Sequence, residues 1–386
     1  MRAALIILTL AYVLSQFYRA FLAVLAAPLA ADIGATAAQL STASGVWFLA
    51  FAAMQIPVGW ALDTLGPRRT NAVLFGLFAT AGALLFALAQ TPWHINIAMA
   101  LIGVGCSAVL MAAYYIVART YSAAVFATLA AAIIGTGSLG NIGAAYPMTL
   151  LVDAVGWRMA MVLLGVITLA VAVACAIIVR DPPKITNTTQ GSFWDILRMP
   201  AIWLFIPMAL VNYAPAAGLR GLWIGPYFND VFQATPEQIG SVTTLMALAM
   251  IAGNFAYGPM DRLLGSRKWV ILGGNTLSIM ACVGLYLFGA TGFWTAATLL
   301  ACIGFFGSSF PVVVAHGRAF FPPHLVGRGV TLINLCSIGG VGILQPLSGR
   351  VFAANQTGGY DAVFVLFAGV LLLGMLIYLF CQDRTD

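Results

Sequence analysis

The sequence predicts an all-α polytopic membrane protein with twelve transmembrane helices in two pseudo-symmetric six-helix bundles. Its composition is 62% apolar and 7% charged, whereas soluble domains carry about 25% charged residues. Apolar runs of the length that crosses a bilayer, about 20 residues, recur along all 386 positions. The two halves of the chain also repeat one another. This composition excludes a nucleic-acid-binding role, although the net charge is +6.

Twelve spans emerge when the apolar runs are separated at charged or Gly/Pro-rich breaks. The first begins within five residues of Met1 and has no small-residue cleavage site, so we expect a retained helix and not a signal peptide. The predicted spans are approximately 4–31, 40–61, 70–90, 94–118, 124–152, 157–179, 201–229, 237–259, 268–290, 293–316, 327–352 and 360–381.

One long connection divides the spans into six plus six. It covers 181–200 and includes a short segment, 193–198, in which apolar and charged side chains are arranged as in an amphipathic surface helix. We therefore expect an N-terminal six-helix bundle over 1–180, a cytoplasmic linker with a short helix over 181–200, and a C-terminal six-helix bundle over 201–386.

The charged residues predict the orientation of the spans. If both termini are cytoplasmic, thirteen of the seventeen Lys and Arg residues lie on the inner side. Only Arg158 and Arg350 then lie outside, and Arg19 and Arg220 lie within spans. Because basic residues accumulate in cytoplasmic loops, we expect a multi-pass protein of the inner (plasma) membrane with both termini in the cytoplasm.

The internal repeat has an offset of 198–199 residues. Pro28, Asp32 and Asp63 recur as Pro226, Asp230 and Asp261, each 198 positions later, and Gly140, Gly143 and Pro147 recur as Gly339, Gly342 and Pro346 at 199. Two parallel six-helix repeats are the layout of an alternating-access transporter with its substrate near the midplane. The repeat therefore favours a transporter over a channel or an enzyme.

A loop between spans two and three carries a family resemblance. The stretch Gly59-Trp60-Ala61-Leu62-Asp63-Thr64-Leu65-Gly66-Pro67-Arg68-Arg69 resembles the signature loop between helices 2 and 3 of the major facilitator superfamily. A partial copy runs from Asp261 to Lys268. The sequence departs from the family pattern at Thr64, where a basic residue is usual, and at Pro67.

The resemblance covers the whole chain and implies a gating role for this loop. In the family, the loop Asp and Arg residues form a cytoplasmic latch in the outward-open state. The resemblance gives this role to Asp63, Arg68 and Arg69, with Gly59 and Gly66 permitting close helix approach and a tight turn. The copy adds Asp261, Arg267 and Lys268. As an alternative, the arginines are only topology anchors.

Two arginines inside spans indicate the substrate. A charged side chain within a membrane costs on the order of 2.5–3.5 kcal/mol on insertion scales. No Asp or Glu lies in the interior of a span to pair with Arg19 or Arg220, because Glu237 and Asp361 lie in or beside outer loops. Guanidinium matches carboxylate and phosphate geometry. The pair resembles the substrate clamp of the organophosphate/phosphate exchangers in the superfamily. Alternatively, both arginines bond to backbone carbonyls, or one binds a neutral or zwitterionic ligand.

Further polar and aromatic residues are candidates for the same site. Tyr12 and Gln16 share a helix face with Arg19, and Arg220 has similar neighbours beside a kink expected at Pro215. For each amide, hydrogen bonding between helices is the alternative role, and for the aromatic residues, packing. The candidate neighbours are Tyr12, Gln16, Tyr213, Trp223, Tyr227, Asn141, Asn254 and Asn334.

The sequence therefore predicts a monomeric secondary active or facilitative transporter that moves a small organic anion, a carboxylate or phosphate ester, by alternating access. The alternatives are transport or export of a neutral or amphipathic metabolite or drug, copper import through Met246 and Met250, and a non-transporting sensor. We find no nucleophile–base pair, metal cluster or nucleotide-binding loop, so we expect no enzymatic activity, cofactor or bound metal.

Overall fold

The computed structural model describes residues 2–121, 123–182, 193–322, 325–355 and 358–384. Most of the predicted linker, 183–192, lies outside these residues. Ten of the helices within them are long and apolar enough to cross a bilayer, or eleven when one bent pair is counted as a single span. The predicted all-helical polytopic fold is confirmed.

The chain forms two compact units. One comprises Met1–Thr186 with Thr235–Thr244, and the other comprises Asn187–Ala234 with Leu245–Asp386. Up to residue 186, the helices are α1 Arg2–Phe17, α2 Leu22–Ile33, α3 Ala37–Ala53, α4 Gln55–Thr64, α5 Pro67–Val73, α6 Thr80–Ala87, α7 Pro92–Cys106, α8 Val109–Thr120, α9 Ala123–Gly143 and α10 Tyr146–Ile178, with a π-helical segment over Leu74–Ala79.

The remaining helices lie after residue 186. They are α11 Phe193–Leu197, α12 Pro200–Val211, α13 Ala214–Gly218, α14 Ile224–Phe232, α15 Pro236–Leu264, α16 Arg267–Phe288, α17 Phe293–Phe306, α18 Phe310–Arg318, α19 Val326–Ala354 and α20 Gly359–Tyr378, with a π-helical segment over Leu219–Trp223 and a 3₁₀ turn over Gly289–Thr291. α11 is the described part of the short helix expected in the linker.

The first predicted span is broken in the middle. α1 and α2 meet at an angle of 50°, and the connecting turn tightens to bonds from Arg19 N to Gln16 O (3.3 Å) and from Ala20 N to Phe17 O (3.0 Å). No Gly or Pro lies at this break, so the local sequence does not mark it. Tyr18, at the break, is fully buried and hydrogen-bonds Thr168 of α10 at 2.9 Å, so tertiary packing stabilises the bend.

The seventh predicted span is interrupted between α12 and α13. α12 ends at Val211, and Asn212 breaks the helix while its side-chain oxygen accepts hydrogen bonds from Asn275 (2.9 Å) and Ser309 (2.7 Å). Pro215 then lies in the first turn of α13, where its missing N–H costs nothing. The helix is therefore interrupted just before Pro215, at which the sequence predicts a kink, and Pro200–Phe232 remains one candidate span.

The fifth and sixth predicted spans are divided differently from the sequence prediction. α9 ends at Gly143, and the remainder of span five forms the first turns of α10. α10 continues into span six through Gly156, whose φ of 77° and ψ of 155° are not helical. A residue with a side chain is strained at such a positive φ, so Gly156 marks the boundary between the two spans.

Large apolar side chains on the surface of each unit fit a lipid environment. Exposed examples include Leu77 and Ile177 in the first unit and Phe255, Trp294 and Leu373 in the second. In water, contiguous exposure of this kind opposes folding, whereas in hydrocarbon it carries no such penalty. The helices can therefore be apolar on several faces and still form a specific fold.

Candidate functional site

Arg19 lies at the break between α1 and α2, against an aromatic platform. Its guanidinium carbon is 5.3 Å from the ring centre of Trp47 and 4.9 Å from that of Phe51. Trp47 and Phe51 are one helical turn apart on α3, and their rings are stacked at 5.2 Å. Among the described residues, the guanidinium makes no hydrogen bond or ion pair, and its Nε is buried. Cation–π contacts with these two rings stabilise the charge.

Two predicted neighbours of Arg19 are bonded to each other. The Gln16 side-chain amide donates to the Tyr12 hydroxyl at 3.1 Å, and both residues are buried. The Tyr12 ring lies against Gly137 of α9, so close that a Cβ there would be 2.2 Å from it. Tyr12 is therefore a packing residue that also orients Gln16, whose Oε1 has no hydrogen-bond partner in the described structure.

Arg220 is buried at a helix irregularity, whereas Arg19 is only partly buried. Its side chain is 2% exposed, and it lies in the π-helical segment between α13 and α14. π-Helical turns widen the helix and are frequent at functional sites. Trp223, one turn away, donates its ring N–H to Ser348 at 2.9 Å, which anchors this part of the helix to α19.

The other predicted substrate residues lie in varied surroundings. Tyr213 is half-buried at the helix break, with its ring 6.2 Å from that of Phe310. Asn141 and Asn334 are partly buried, and Asn254 is exposed. Tyr227 lines a separate cavity at the end of α14 and does not share the segment that holds Arg220.

The methionine pair that suggested copper is used in packing. Met246 is fully buried and Met250 is 8% exposed. The carbon chains of both side chains touch the face of Gly304 in α17, which a Cβ would approach to about 3.0–3.1 Å. Small residues permit such close helix contacts in membranes, and the pair therefore has a role in holding α15 against α17.

The loop after span two makes contacts within the first unit. Asp63 bonds with the Tyr115 hydroxyl, and the Arg119 guanidinium lies 4.8 Å from the centre of the same ring. Arg68 instead reaches the end of α10, where its Nε donates to Ala176 O. Asp63 and Arg68 therefore have different partners in this state. Arg69 is exposed.

Glycines in this loop differ in their surroundings. Gly66 has a φ of 89°, and the Asp181 carboxylate occupies the space of a Cβ at 2.7–2.8 Å, so only glycine fits the turn. Gly59 has no atom within 4 Å of a built Cβ. The close approach expected there is absent in this state.

The copy of the loop in the second unit is held by an ion pair. Arg267 Nε lies 3.3 Å from Asp261 Oδ2, with both side chains largely buried. Lys268 extends its ammonium group to Leu379 O at 2.6 Å. Arg68 in the first unit and Lys268 in the second thus both neutralise the carbonyl end of the last helix of their own unit, where cations are favourable.

A carboxylate that follows the last long helix of each unit completes these contacts. Asp181 accepts a hydrogen bond from Arg68 N (2.8 Å), and Asp383 accepts one from Lys268 N (3.0 Å) and another from the Ser266 hydroxyl. Each carboxylate satisfies a free N–H in the first turn of a helix. The sequence analysis did not identify Asp181 and Asp383 as a related pair. A usable signal was the acidic residue that closely follows the last apolar run of each half.

We expect Asp383→Ala to lower the free energy of unfolding by about 1 kcal/mol near neutral pH, as for other lost helix-end contacts. Partial burial alone raises the pKa of Asp383, but the hydrogen bonds from Ser266 and Lys268 and the nearby His316 outweigh it and hold the pKa below its ordinary value of 3.8. A depressed folded-state pKa gives stability that is complete above the ordinary pKa and is lost as pH falls through the folded-state value. Thermal unfolding at pH 7 and below pH 4 measures the difference between the proteins.

The matched control is Asp383→Asn, which keeps an acceptor for the Lys268 N–H but cannot titrate. The difference in unfolding free energy between Asp383→Asn and Asp383→Ala should not vary with pH. The difference in unfolding free energy between wild type and Asp383→Ala should shrink in acid. A wild-type advantage that is the same at both pH values contradicts the role of the charge.

Comparison with known proteins identifies the class. The model of the Major Facilitator Superfamily matches residues 8–224 and 216–386, and the chain belongs to this family of transporters. The predicted family is therefore confirmed. The fold agrees: the chain superimposes on the D-xylose-proton symporter with a TM-score of 0.81 at 12% identity, covering 100% of this chain and 98% of the other.

Two curated relatives are more similar to this chain in sequence than the symporter is. The chain is 27% identical over 348 residues to "Monocarboxylate transporter 11" of Homo sapiens, covering 84% of this chain and 70% of the relative. It is 25% identical over 402 residues to the "Probable sulfoacetate transporter SauU" of Cupriavidus necator, covering 97% and 92%. Both relatives are named as transporters.

Proposed function

We propose that this protein transports a small organic anion by alternating access, and that Arg19 and Arg220 bind the anionic group. The carrying observation is Arg19, a cation in the broken first span with an aromatic platform and no carboxylate partner in the described structure. Arg19 is partly buried. A charge removed from water without a counter-ion is costly, and an anion from outside the protein lowers that cost when it binds.

The aromatic platform also supports this assignment. The Trp47 and Phe51 rings contact the guanidinium of Arg19. Its N–H groups, which form a planar fork, have no hydrogen-bond acceptor among the described residues. A fork of this kind binds a carboxylate or sulfonate through two parallel hydrogen bonds. The names of the relatives, a monocarboxylate transporter and a sulfoacetate transporter, point to the same two groups.

Thermal-shift screening of the detergent-purified protein tests the proposal. The panel contains monocarboxylates, dicarboxylates, sulfonates, phosphate esters, sugars and amphipathic cations. A ligand at 100 times its Kd stabilises the folded state by about 2.7 kcal/mol, so a binder is readily detected. Stabilisation by anions, followed by uptake of the same anion into proteoliposomes, supports the proposal. Stabilisation by neutral or cationic compounds alone overturns it.

A second candidate function is export of an amphipathic compound. One relative is an "MFS-type efflux pump" of Mycolicibacterium smegmatis, 23% identical over 412 residues and covering 99% of this chain and 92% of the relative. Under this function Arg19 is a structural residue. The same panel separates the two functions, because amphipathic cations then give the largest stabilisation and anions give none.

For the gating loop, we expect Asp63→Asn to slow transport without an equal loss of affinity. The variant weakens the bond with the Tyr115 hydroxyl at the loop and leaves the Arg19 platform untouched. Initial uptake rates should fall about tenfold, which corresponds to about 1.4 kcal/mol, while the Kd from equilibrium binding stays within about twofold. Glu237→Gln removes another exposed carboxylate and serves as the control. Equal losses in rate and affinity argue against a gating role.

A further inference from the structure

One end of the first unit is closed by an ion pair. Arg158 of α10 lies 2.9 Å from Asp32, at the end of α2. The Trp157 ring N–H donates to the same Asp32 oxygen at 3.1 Å. The Arg158 guanidinium also lies 4.2 Å from the Trp157 ring centre and donates to Ala87 O and Ala89 O. Trp157, Asp32 and Arg158 thus each contact the other two.

The second unit repeats this group with one reversed charge. Asp230 is the counterpart of Asp32 at the offset of 198. Gly156-Trp157-Arg158 corresponds to Gly359-Tyr360-Asp361, 203 positions later (359 − 156). Tyr360 takes the place of Trp157, since its hydroxyl donates to Asp230. At the position of the arginine, however, the second unit has a carboxylate.

A cavity of about 480 Å³ lies at this place in the second unit. Asp230 and Asp361 contribute its two carboxylates, and Tyr227, Phe352 and Tyr360 contribute aromatic walls. No Lys, Arg or His is among the described residues that line it. Two carboxylates of like charge near one cavity repel each other, and aromatic faces attract cations. The lining therefore favours a cation.

Tyr227 gives independent support for a ligand. The residue is only 3% exposed and lines the cavity. Its ring is fixed by edge-to-face contacts with Tyr360 and Phe364, both at 5.2 Å. Its hydroxyl makes no hydrogen bond to any residue that the structure describes. The hydroxyl lies over Gly289, next to the lining residue Ala290, and is available to a polar group that enters the cavity.

We propose that this cavity binds a small organic cation with a guanidinium group, which takes the position that Arg158 occupies in the first unit. The guanidinium donates to Asp230 and Asp361 and lies against the Tyr360 ring, as the Arg158 guanidinium lies against Trp157. The lining residues differ from those of the proposed anion site, and the two sites meet where Trp223, in the segment that holds Arg220, packs against Phe352 (5.1 Å) and Tyr360 (6.1 Å).

Isothermal titration of the purified full-length protein with n-butylguanidinium chloride tests the proposal. The control ligand is n-butylurea, which has the same shape and no charge. We expect saturable binding of the cation and none of the urea at the same concentrations. Equal heats for the two compounds, or no heat for either, overturn the proposal. Sodium chloride at matched ionic strength excludes a general salt effect.

Two variants of one residue sharpen the test. Asp361→Asn should weaken n-butylguanidinium binding about tenfold or more, as for loss of one charged partner. Asp361→Arg gives the second unit an arginine at the position equivalent to Arg158. Its guanidinium should occupy the cavity, which abolishes binding of n-butylguanidinium, and should pair with Asp230, which raises the Tm. Asp153→Asn, which removes an exposed carboxylate elsewhere, should bind as the wild type does. Wild-type affinity in both Asp361 variants means that Asp361 only caps α20, and this result rejects the site.

Discussion

Arg19→Gln is expected to abolish binding of the transported anion while leaving the fold intact. Truncating one partner of a hydrogen-bonded charge pair costs about 2–5 kcal/mol, so the Kd should rise by about 30-fold or more. The variant removes a cation that contacts the rings of Trp47 and Phe51 and has no carboxylate partner within the described structure. Without ligand, its Tm should therefore equal or exceed that of the wild type. Equilibrium binding and thermal unfolding of the same preparations measure both effects.

The opposite changes in affinity and stability distinguish ligand binding from a structural role. If Arg19 organises the break between α1 and α2, Arg19→Gln will lower the Tm of the ligand-free protein. Arg19→Lys is the matched variant, because it keeps the charge and loses the planar fork. We expect it to bind the anion with intermediate affinity. Unchanged affinity in both variants would show that the anion is bound elsewhere.

Arg220→Gln should also weaken anion binding, by a comparable factor. Arg220 is 2% exposed, so shortening its side chain also leaves unfilled space in the interior of the second unit. A modest decrease in Tm is therefore expected for this variant. The discriminating result is the ligand-induced shift, which should disappear in Arg220→Gln even when the variant is measured at a lower temperature.

The second large effect is expected for Gly140→Ala, which should strongly destabilise the first unit. A Cβ at Gly140 would lie 1.9 Å from the Val13 carbonyl oxygen of α1. Because this neighbour is backbone, the two helices must separate. Overpacking of this kind costs about 1–3 kcal/mol or more. Thermal unfolding in detergent should show a Tm several degrees lower, with less folded protein recovered.

Gly135→Ala is the control in the same helix. No atom lies within 4 Å of a Cβ built at Gly135, so its Tm should match that of the wild type. In the second unit, a Cβ at Gly340 would lie 1.8 Å from Leu210 O, whereas one at Gly273 would meet nothing within 4 Å. Gly340→Ala should therefore be destabilising and Gly273→Ala neutral. Equal stability within each pair would contradict the close contacts.

The glycine pair also shows how far the repeat can be traced in sequence. Sequence matching pairs Gly140 with Gly339 at an offset of 199. The residue that makes the corresponding close approach is Gly340, one position later. Sequence similarity identifies the two equivalent helices correctly. Helix packing determines which glycine contacts the neighbouring helix, because a shift of one position turns a side chain by about 100° around the helix.

The candidate site was predictable only in part. The two arginines stand out because charge is rare in apolar spans, and Tyr12 and Gln16 follow from helical spacing. The sequence analysis missed Trp47 and Phe51, although their spacing of four residues in span two was a usable signal. It grouped Tyr227 with Arg220 by the same rule, and in the structure Tyr227 lines a cavity whose described lining does not include Arg220.

The sequence by itself determined the class of this protein, the approximate position of its spans and its division into two repeats. These properties depend on hydrophobic length and on similarity along the chain, which are one-dimensional. Only the tertiary structure decided where span one breaks, what surrounds Arg19, and which carboxylates close the ends of each unit. Those features depend on side chains far apart in sequence, and short-range patterns carry no information about which of them meet.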